Sequence, residues 1–142
     1  MSYIYQPLLT PQTRTPTVTL VGGAGNTVPQ YTTIQSRWMK IGPNLVRESF
    51  YLTGDGGNEG AGSGTLNLSL NFTSSANQQD QPIVFGYAHN NVTEYLLYGI
   101  IGPASSTVQL SYMSVVGTRV NFTGAEQNNT NRFLRGVIEY EI

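Results

Sequence analysis

Residues 66–72, Leu-Asn-Leu-Ser-Leu-Asn-Phe, carry the clearest structural pattern in the chain. Leu66, Leu68, Leu70 and Phe72 alternate with small polar residues, and a period of two places apolar side chains on one face of a β-strand. A helix would show an apolar period near 3.6 together with capping residues, and no window of this chain does. The stretch therefore predicts a half-buried strand.

Further strand candidates lie on both sides of this stretch and are separated by turn residues. They cover residues 17–21, 31–41, 45–53, 83–88, 92–101, 108–113, 115–122 and 137–142. Gly42-Pro43-Asn44 predicts a tight turn that joins two of them, and Asn90-Asn91 predicts another, because asparagine tolerates left-handed backbone. The asparagine-rich stretch 123–131 predicts a loop. Many short strands between turns are typical of an antiparallel β-sandwich or barrel-like domain, so we expect an all-β fold with a single domain over residues 17–142.

The composition excludes several classes of function. The 142 residues include 7 basic and 8 acidic ones, and charged residues make up only 11%, against roughly 25% in an average soluble domain. A nucleic-acid-binding protein needs a basic patch, whereas Lys40 is the only lysine here and the arginines are scattered. No apolar stretch is long enough to span a bilayer. The absence of cysteine excludes disulfides, thiol nucleophiles and cysteine-ligated metals. We expect neither a nucleic-acid nor a membrane partner.

The first 16 residues differ from the rest of the chain. Three prolines interrupt this segment, and proline removes amide donors and favours extended backbone, so residues 1–16 predict an extended N-terminal arm. The arm could be a first edge strand or a frayed tail, or it could dock on a neighbouring subunit. The candidate docking side chains are its apolar ones: Tyr3, Ile4, Tyr5, Leu8 and Leu9. The segment lacks the basic and apolar regions of a signal peptide, so none is expected.

Residue combinations that would support catalysis are weak. His89 is the only histidine, and no serine lies in a Gly-x-Ser-x-Gly elbow, which disfavours a hydrolytic triad. Glu48 and Glu94 could form a glycosidase pair, but nothing in the sequence places them together, and each is better explained as the cross-strand partner of an arginine. We expect no enzymatic activity, no catalytic residue and no cofactor.

Two further features leave alternatives open. Asp55 and Glu59 lie in a glycine-rich loop whose spacing does not match an EF-hand, and the sequence leaves undecided whether a cation binds there or the loop is simply solvated. Trp38 is interpreted as a core aromatic rather than a sugar-stacking platform. The tyrosines of the later strands suit either the edge of a core or an interface: Tyr87, Tyr95, Tyr98 and Tyr112.

Three stretches share a pattern with a known β domain. The first combines Thr15-Pro16-Thr17-Val18-Thr19-Leu20 with residues 31–46, Tyr-Thr-Thr-Ile-Gln-Ser-Arg-Trp-Met-Lys-Ile-Gly-Pro-Asn-Leu-Val; the second is residues 66–72; the last is Gly136-Val137-Ile138-Glu139-Tyr140. Together they resemble a domain of tailed-bacteriophage surface proteins that often stands at the ends of tail fibres and tail spikes. The chain departs from that pattern at Ser36, Trp38 and Asn71, where glycine, tyrosine and proline are common.

The resemblance covers roughly residues 15–142 and implies an antiparallel β domain, usually homotrimeric, exposed on a virion. It carries no catalytic residue to this chain. The resulting expectation is a non-enzymatic virion structural protein, a homotrimeric capsid decoration or cement protein. Its N-terminal arm would stabilise the shell by binding the major capsid protein or another virion protein. We then expect that deleting residues 1–14 abolishes virion attachment and leaves the domain folded.

The alternative is a receptor-binding knob of a tail fibre or baseplate that recognises a host surface glycan or protein. Exposed tyrosines and Trp38 would serve such a role. An enzyme such as a glycan depolymerase is the least favoured hypothesis, because the sequence offers no convincing catalytic constellation.

Overall fold

The computed structural model describes residues 10–142, apart from the side chain of Asp55. The predicted docking residues of the arm therefore lie outside the described part of the chain: Tyr3, Ile4, Tyr5, Leu8 and Leu9. Within it, ten β-strands and one 3₁₀ turn follow one another. They are β1 (Gln12–Arg14), β2 (Val18–Val21), β3 (Thr33–Gly42), β4 (Leu45–Asp55), β5 (Thr65–Ser69), β6 (Ile83–His89), β7 (Glu94–Ile100), β8 (Thr107–Met113), β9 (Arg119–Asn121), the 3₁₀ turn Gly124–Gln127 and β10 (Asn131–Glu141).

The strands form one antiparallel sheet that curls on itself. Their order is β1-β3-β4-β10-β6-β7-β8-β5-β2, and β9 pairs with β8 beside this path. The curl brings β1, at one end of the sheet, next to β5, near the other end, because Arg14 of β1 donates hydrogen bonds to the hydroxyl and the carbonyl of Ser69. The predicted all-β, barrel-like fold is confirmed. No helix within residues 10–142 is long and apolar enough to cross a membrane.

The core fills the inside of the curled sheet. Leu66 and Leu68 are fully buried and Leu70 nearly so, while Asn67 and Ser69 on the opposite face remain partly exposed. The strand predicted for this stretch is confirmed, with β5 ending at Ser69. The other strands contribute their inward side chains to the same core: Val46, Phe50, Leu52, Phe85, Ala88, Leu97, Val108, Leu110, Phe122, Leu134, Ile138 and Tyr140.

Both predicted hairpins are present. β3 pairs with β4 across the turn at Pro43-Asn44, and β6 pairs with β7 across the turn that contains Asn91, whose φ is 69°. Asparagine is one of the few residues with a side chain that accept this left-handed conformation without a large cost.

Two strand predictions and the loop prediction need correction. The strand predicted over 115–122 shrinks to β9, because Gly117 with φ 80° turns the chain and the amide of Ser114 bonds the carbonyl of Thr118 at 2.8 Å. The last strand begins at Asn131 rather than at residue 137, since its inward alternation starts at Arg132. The loop predicted over 123–131 contains the 3₁₀ turn, whose first turn is capped by Glu126.

The last part of the predicted arm belongs to the sheet. Residues 12–14 form β1, which pairs with β3 from Gln12 opposite Trp38 to Arg14 opposite Ser36. The guanidinium of Arg14 lies 2.8 Å from the carboxylate of the buried Glu48. A deletion of residues 1–14 would remove this strand and unpair a buried charge, so a truncation that preserves the domain has to end before Gln12.

Candidate functional site

A row of side chains crosses the outer face of the sheet on five adjacent strands. Each member is the cross-strand partner of the next, in the order Gln35, Tyr51, Arg135, Tyr87 and Leu96, on β3, β4, β10, β6 and β7. Directly opposed residues share a face of the sheet, so these five project to the same side. The residues that follow or precede them along the strands point inward, and most of these are buried, such as Ser36, Leu52 and Leu134.

A cluster of rings stands beside this row. Phe133 of β10 lies 5.4 Å from the ring of His89 in a stacked arrangement and 5.5 Å from Tyr51 edge-on, and Tyr87 lies 5.9 Å away. These four residues form the aromatic cluster. Its geometry matches the stacked and edge-on arrangements that aromatic pairs prefer. His89 is thus held by packing and by the amide of Asn91, which donates to its Nδ1 at 3.2 Å.

Two glycines and a bulge shape the sheet next to the row. Gly86 of β6 lies opposite Gly136 of β10, and a β-bulge between Val84 and Gly86 lets Phe85 turn inward. A Cβ added at Gly136 would lie 2.2 Å from the Phe85 ring, and one added at Gly86 would lie 2.1 Å from the carbonyl oxygen of Arg135. Neither position has room for a side chain, because a Cβ at Gly136 would enter the core against Phe85 and one at Gly86 would meet the backbone of β10.

A groove of about 560 Å³ lies on the outer face beside these glycines, and we name it the outer groove. Its outward-facing lining consists of two arginines, two tyrosines, two uncharged polar side chains and one valine: Arg37, Arg135, Tyr51, Tyr87, Gln35, Ser49 and Val137. The inward-facing Phe50, Phe85, Gly86 and Gly136 complete it.

The outer groove carries positive charge. Among the described side chains, the ion pairs are Arg14 with Glu48 and Arg47 with Glu139, so neither Arg37 nor Arg135 has a carboxylate partner there. At one wall the hydroxyl of Tyr87 donates to Glu94 at 3.2 Å. Burial raises the pKa of Tyr87, and the hydrogen bond to Glu94 and its negative charge raise it further. The tyrosine therefore stays a neutral donor and its ring is held in place.

A second feature of the outer face is an apolar patch on β6, β7 and β8. Val84 is 64% exposed, Leu96 57% and Met113 46%. Val84 lies opposite Tyr98, and the pairing of Leu97 with Tyr112 makes Leu96 and Met113 neighbours. We name Val84, Leu96, Tyr98 and Met113 the apolar patch. It lies on the other side of Tyr87 from the outer groove.

Glu48 occupies the interior rather than a surface site. Its carboxylate accepts hydrogen bonds from Arg14 at 2.8 Å, the Tyr140 hydroxyl at 2.5 Å, the Asn71 amide at 2.6 Å and the Ser36 hydroxyl at 3.2 Å. Burial raises the pKa of Tyr140 above its usual range, and the hydrogen bond to Glu48 adds to this effect. An arginine partner is present, but it is an ion pair from β1 rather than a cross-strand neighbour, since Glu48 lies opposite Trp38 and Ile138. The four donors make Glu48 a structural anchor.

The two glutamates considered as a glycosidase pair face opposite sides of the sheet. Glu48 is paired with Ile138 and points inward, whereas Glu94 is exposed and lies opposite His89 on the outer face. The predicted arginine partner of Glu94 is wrong, because its hydrogen bond comes from the tyrosine Tyr87. This arrangement does not place two carboxylates on either side of one bond, as glycoside hydrolysis requires.

The other residues singled out from the sequence contact neighbouring side chains of the same domain. Trp38 is half-buried and packs edge-on against Phe72 at 5.0 Å. Glu59 accepts a hydrogen bond from Thr130 at 3.1 Å. Within the described residues, no three histidine, cysteine or acidic side chains are grouped so that they could hold a metal ion. Tyr112 packs on Tyr95 at 4.9 Å.

One buried cation was not predicted from the sequence. Arg132 is fully buried and donates to the carbonyls of Asn129 at 2.8 Å, of Gly56 at 2.9 Å and of Gln30, which ties three loops together. Its guanidinium also lies 5.6 Å from the centre of the Tyr31 ring. The sequence carried a signal for this burial, because Arg132 falls at the same alternate positions as the buried residues of β10, such as Leu134 and Ile138.

Comparisons of the chain with protein-family models, with curated proteins and with solved structures found no match. What the protein does therefore has to be inferred from the surfaces and contacts described above.

Proposed function

We propose that this chain is a non-enzymatic structural protein of a tailed-bacteriophage virion. It assembles as a homotrimer on the outer surface of the capsid and is held there by its N-terminal arm. The observation that carries the proposal is the apolar patch on β6, β7 and β8. The resemblance of residues 15–20, 31–46, 66–72 and 136–140 to phage surface domains supports the same role.

The apolar patch is suited to self-association. Val84, Leu96 and Met113 are each about half exposed or more, and they are neighbours on one sheet face. Contiguous apolar surface on a soluble chain marks an interaction site, whereas single exposed residues need no explanation. A chain with only 11% charged residues also has few like charges to repel a second copy. Three copies would bury the patch in a closed ring.

The pairing of β1 defines the end of the sheet at which the N-terminal arm joins the domain. Because Gln12 pairs with Trp38 and Arg14 with Ser36, the chain enters β1 from the side of the β3–β4 turn. That end of the sheet lies opposite the loops that follow β4, β6 and β8. The ion pair of Arg14 with buried Glu48 anchors this strand. A tether at one end and loops at the other suit a protein that stands on a shell, with the apolar arm bound to the major capsid protein.

Solution mass tests the homotrimer. Native mass spectrometry of the full-length chain should give about three times 15.5 kDa. Leu96→Lys should shift the mass to the monomer, since it places an amine in the centre of the apolar patch. The matched control is Val116→Lys, because Val116 is exposed on the turn between β8 and β9, outside the patch. A monomer for the unmodified chain, or a trimer that survives Leu96→Lys, would contradict this interface.

Attachment tests the role of the arm. A chain without residues 2–9 keeps β1 and its ion pair, so its thermal unfolding should match that of the full chain. It should fail to bind shells that lack the protein, while the full chain binds them. Val116→Lys again serves as the control for retained binding. If the truncated chain decorates the shells as well as the full chain does, the arm is not the attachment element.

A further inference from the structure

We propose that the outer groove binds an acidic sugar residue, a hexuronic acid, with the carboxylate held by Arg135 and Arg37. The inference concerns a different part of the outer face from the apolar patch and does not depend on the virion role.

The dimensions of the groove indicate a small ligand. Its volume of about 560 Å³ falls within the range of about 300–1,000 Å³ that is typical of sites for small molecules. A stable protein partner would instead cover a broad face of about 800 Å² on each side. Gly86 and Gly136 belong to its lining, and neither position has room for a Cβ.

The charge of the groove indicates an anion. Arg37 on β3 and Arg135 on β10 both line it, and no described carboxylate forms an ion pair with either. A guanidinium presents paired donors that match the two oxygens of a carboxylate, and such charge-assisted bonds are about twice as strong as neutral ones. Gln35 and Ser49 add neutral hydrogen-bonding groups of the kind that hydroxyls require.

The tyrosines supply the apolar surface that a sugar ring needs. Tyr51 and Tyr87 are the direct cross-strand partners of Arg135 on its two sides, and the strands that carry them lie about 4.8 Å on either side of β10. Tyr51 is held edge-on by Phe133 at 5.5 Å, and Tyr87 is held by its hydrogen bond to Glu94 at 3.2 Å. Rings held in this way lose little conformational freedom on binding. A pyranose offers apolar C–H groups for the rings and hydroxyls for the polar walls.

The neighbouring Glu94 sets the orientation of the ligand. Glu94 is on β7, on the side of Tyr87 away from Arg135, so its negative charge repels a carboxylate from the Tyr87 wall. The carboxylate of the ligand then points toward Arg37 and Ser49. The hydroxylated side of the sugar then faces Tyr87. A neutral sugar lacks the ionic contact, and a simple carboxylate lacks the ring contact.

Calorimetry and saturation-transfer NMR on the full-length chain test the site. The probes are glucuronic acid, glucose and acetate. Glucuronic acid should bind with a dissociation constant at or below about 1 mM, and glucose and acetate at least tenfold more weakly. Arg135→Gln should weaken glucuronic acid binding about tenfold or more. The matched control is Arg119→Gln, because Arg119 is an exposed arginine on β9 outside the groove, and it should leave binding unchanged.

Several outcomes would overturn the assignment. They are no binding of glucuronic acid at 10 mM, equal binding of glucose, equal binding of acetate, or equal loss in the two arginine variants. A short peptide whose C-terminal carboxylate binds more tightly than the sugar would also overturn it. Both variants replace exposed side chains, and native mass spectrometry of each shows whether the oligomer is kept. A loss of sugar binding with the oligomer intact separates this site from the apolar patch.

Discussion

Replacing Arg14 with methionine should destabilise the protein far more than its position on a three-residue edge strand suggests. Arg14→Met keeps most of the length of the side chain but removes the cation that faces Glu48, whose carboxylate is fully buried. It also removes the hydrogen bonds from Arg14 to Ser69, which join the two ends of the sheet.

The size of the effect follows from what remains around Glu48. Removing one partner of a buried ion pair costs about 3–5 kcal/mol, because the other charge is left uncompensated. Tyr140, Asn71 and Ser36 still donate to the carboxylate, and the Arg14 side chain is 17% exposed, so water partly replaces it. We therefore expect the lower end of that range, about 3 kcal/mol, and a fall of roughly 10 °C in Tm.

Urea unfolding at one fixed protomer concentration measures this change. The wild type, Arg14→Met, Glu48→Gln and the double variant form a cycle, and the coupling energy should be about 2 kcal/mol because the two residues share one contact. The matched control is Arg47→Met. It breaks the exposed pair of Arg47 with Glu139, whose N–O distance is 2.5 Å, and should change stability by less than about 1 kcal/mol.

Two results would contradict this role of Arg14: equal losses of stability in Arg14→Met and Arg47→Met, or a cycle without coupling. Either result would mean that Glu48 is satisfied by its neutral donors alone. The anchoring of the arm would then have to come from the backbone pairing of β1.

Three further outcomes are expected. Gly136→Ala should cost about 1–3 kcal/mol in urea unfolding, because its Cβ would lie 2.2 Å from the Phe85 ring, whereas Gly102→Ala, with no atom within 4 Å, should be nearly neutral. Arg132→Lys should cost about 3 kcal/mol and speed proteolysis of the loops it joins, since an ammonium cannot span their three carbonyls; unchanged cleavage would contradict this role. Burial raises the pKa of Tyr112 to about 12. In the unfolded chain this phenol has a pKa near 10, so it loses its proton at a lower pH than in the folded protein. The contribution of Tyr112 to stability is therefore complete below about pH 10 and is lost toward pH 12. Tyr112→Phe should reduce that fall in urea midpoints, and an unchanged slope would assign all of it to other groups whose pKa is also raised, such as Tyr140.

Local patterns alone determined most of the strands. Residues 66–72 alternate apolar and polar side chains, and this period of two is a property of the extended chain itself, so β5 could be predicted without knowing its neighbours. The turns at 42–44 and 90–91 could be predicted for a similar reason, because proline and asparagine favour particular backbone angles wherever they stand. The same local signals failed at 115–122, where the turn at Gly117 divides an apolar run.

The surfaces on which function is proposed depend on the long-range pairing of the strands. Tyr51, Arg135 and Tyr87 are far apart in the sequence, and they meet because β10 inserts between β4 and β6. Nothing local to any of the three encodes that strand order or its register, since both result from long-range pairing that buries the whole inward face at once. The bulge that turns Phe85 inward and the burial of Glu48 depend on the same closure. The sequence therefore determined which segments are strands and which face of each is apolar, while the register of the closed sheet decided which outward side chains became neighbours.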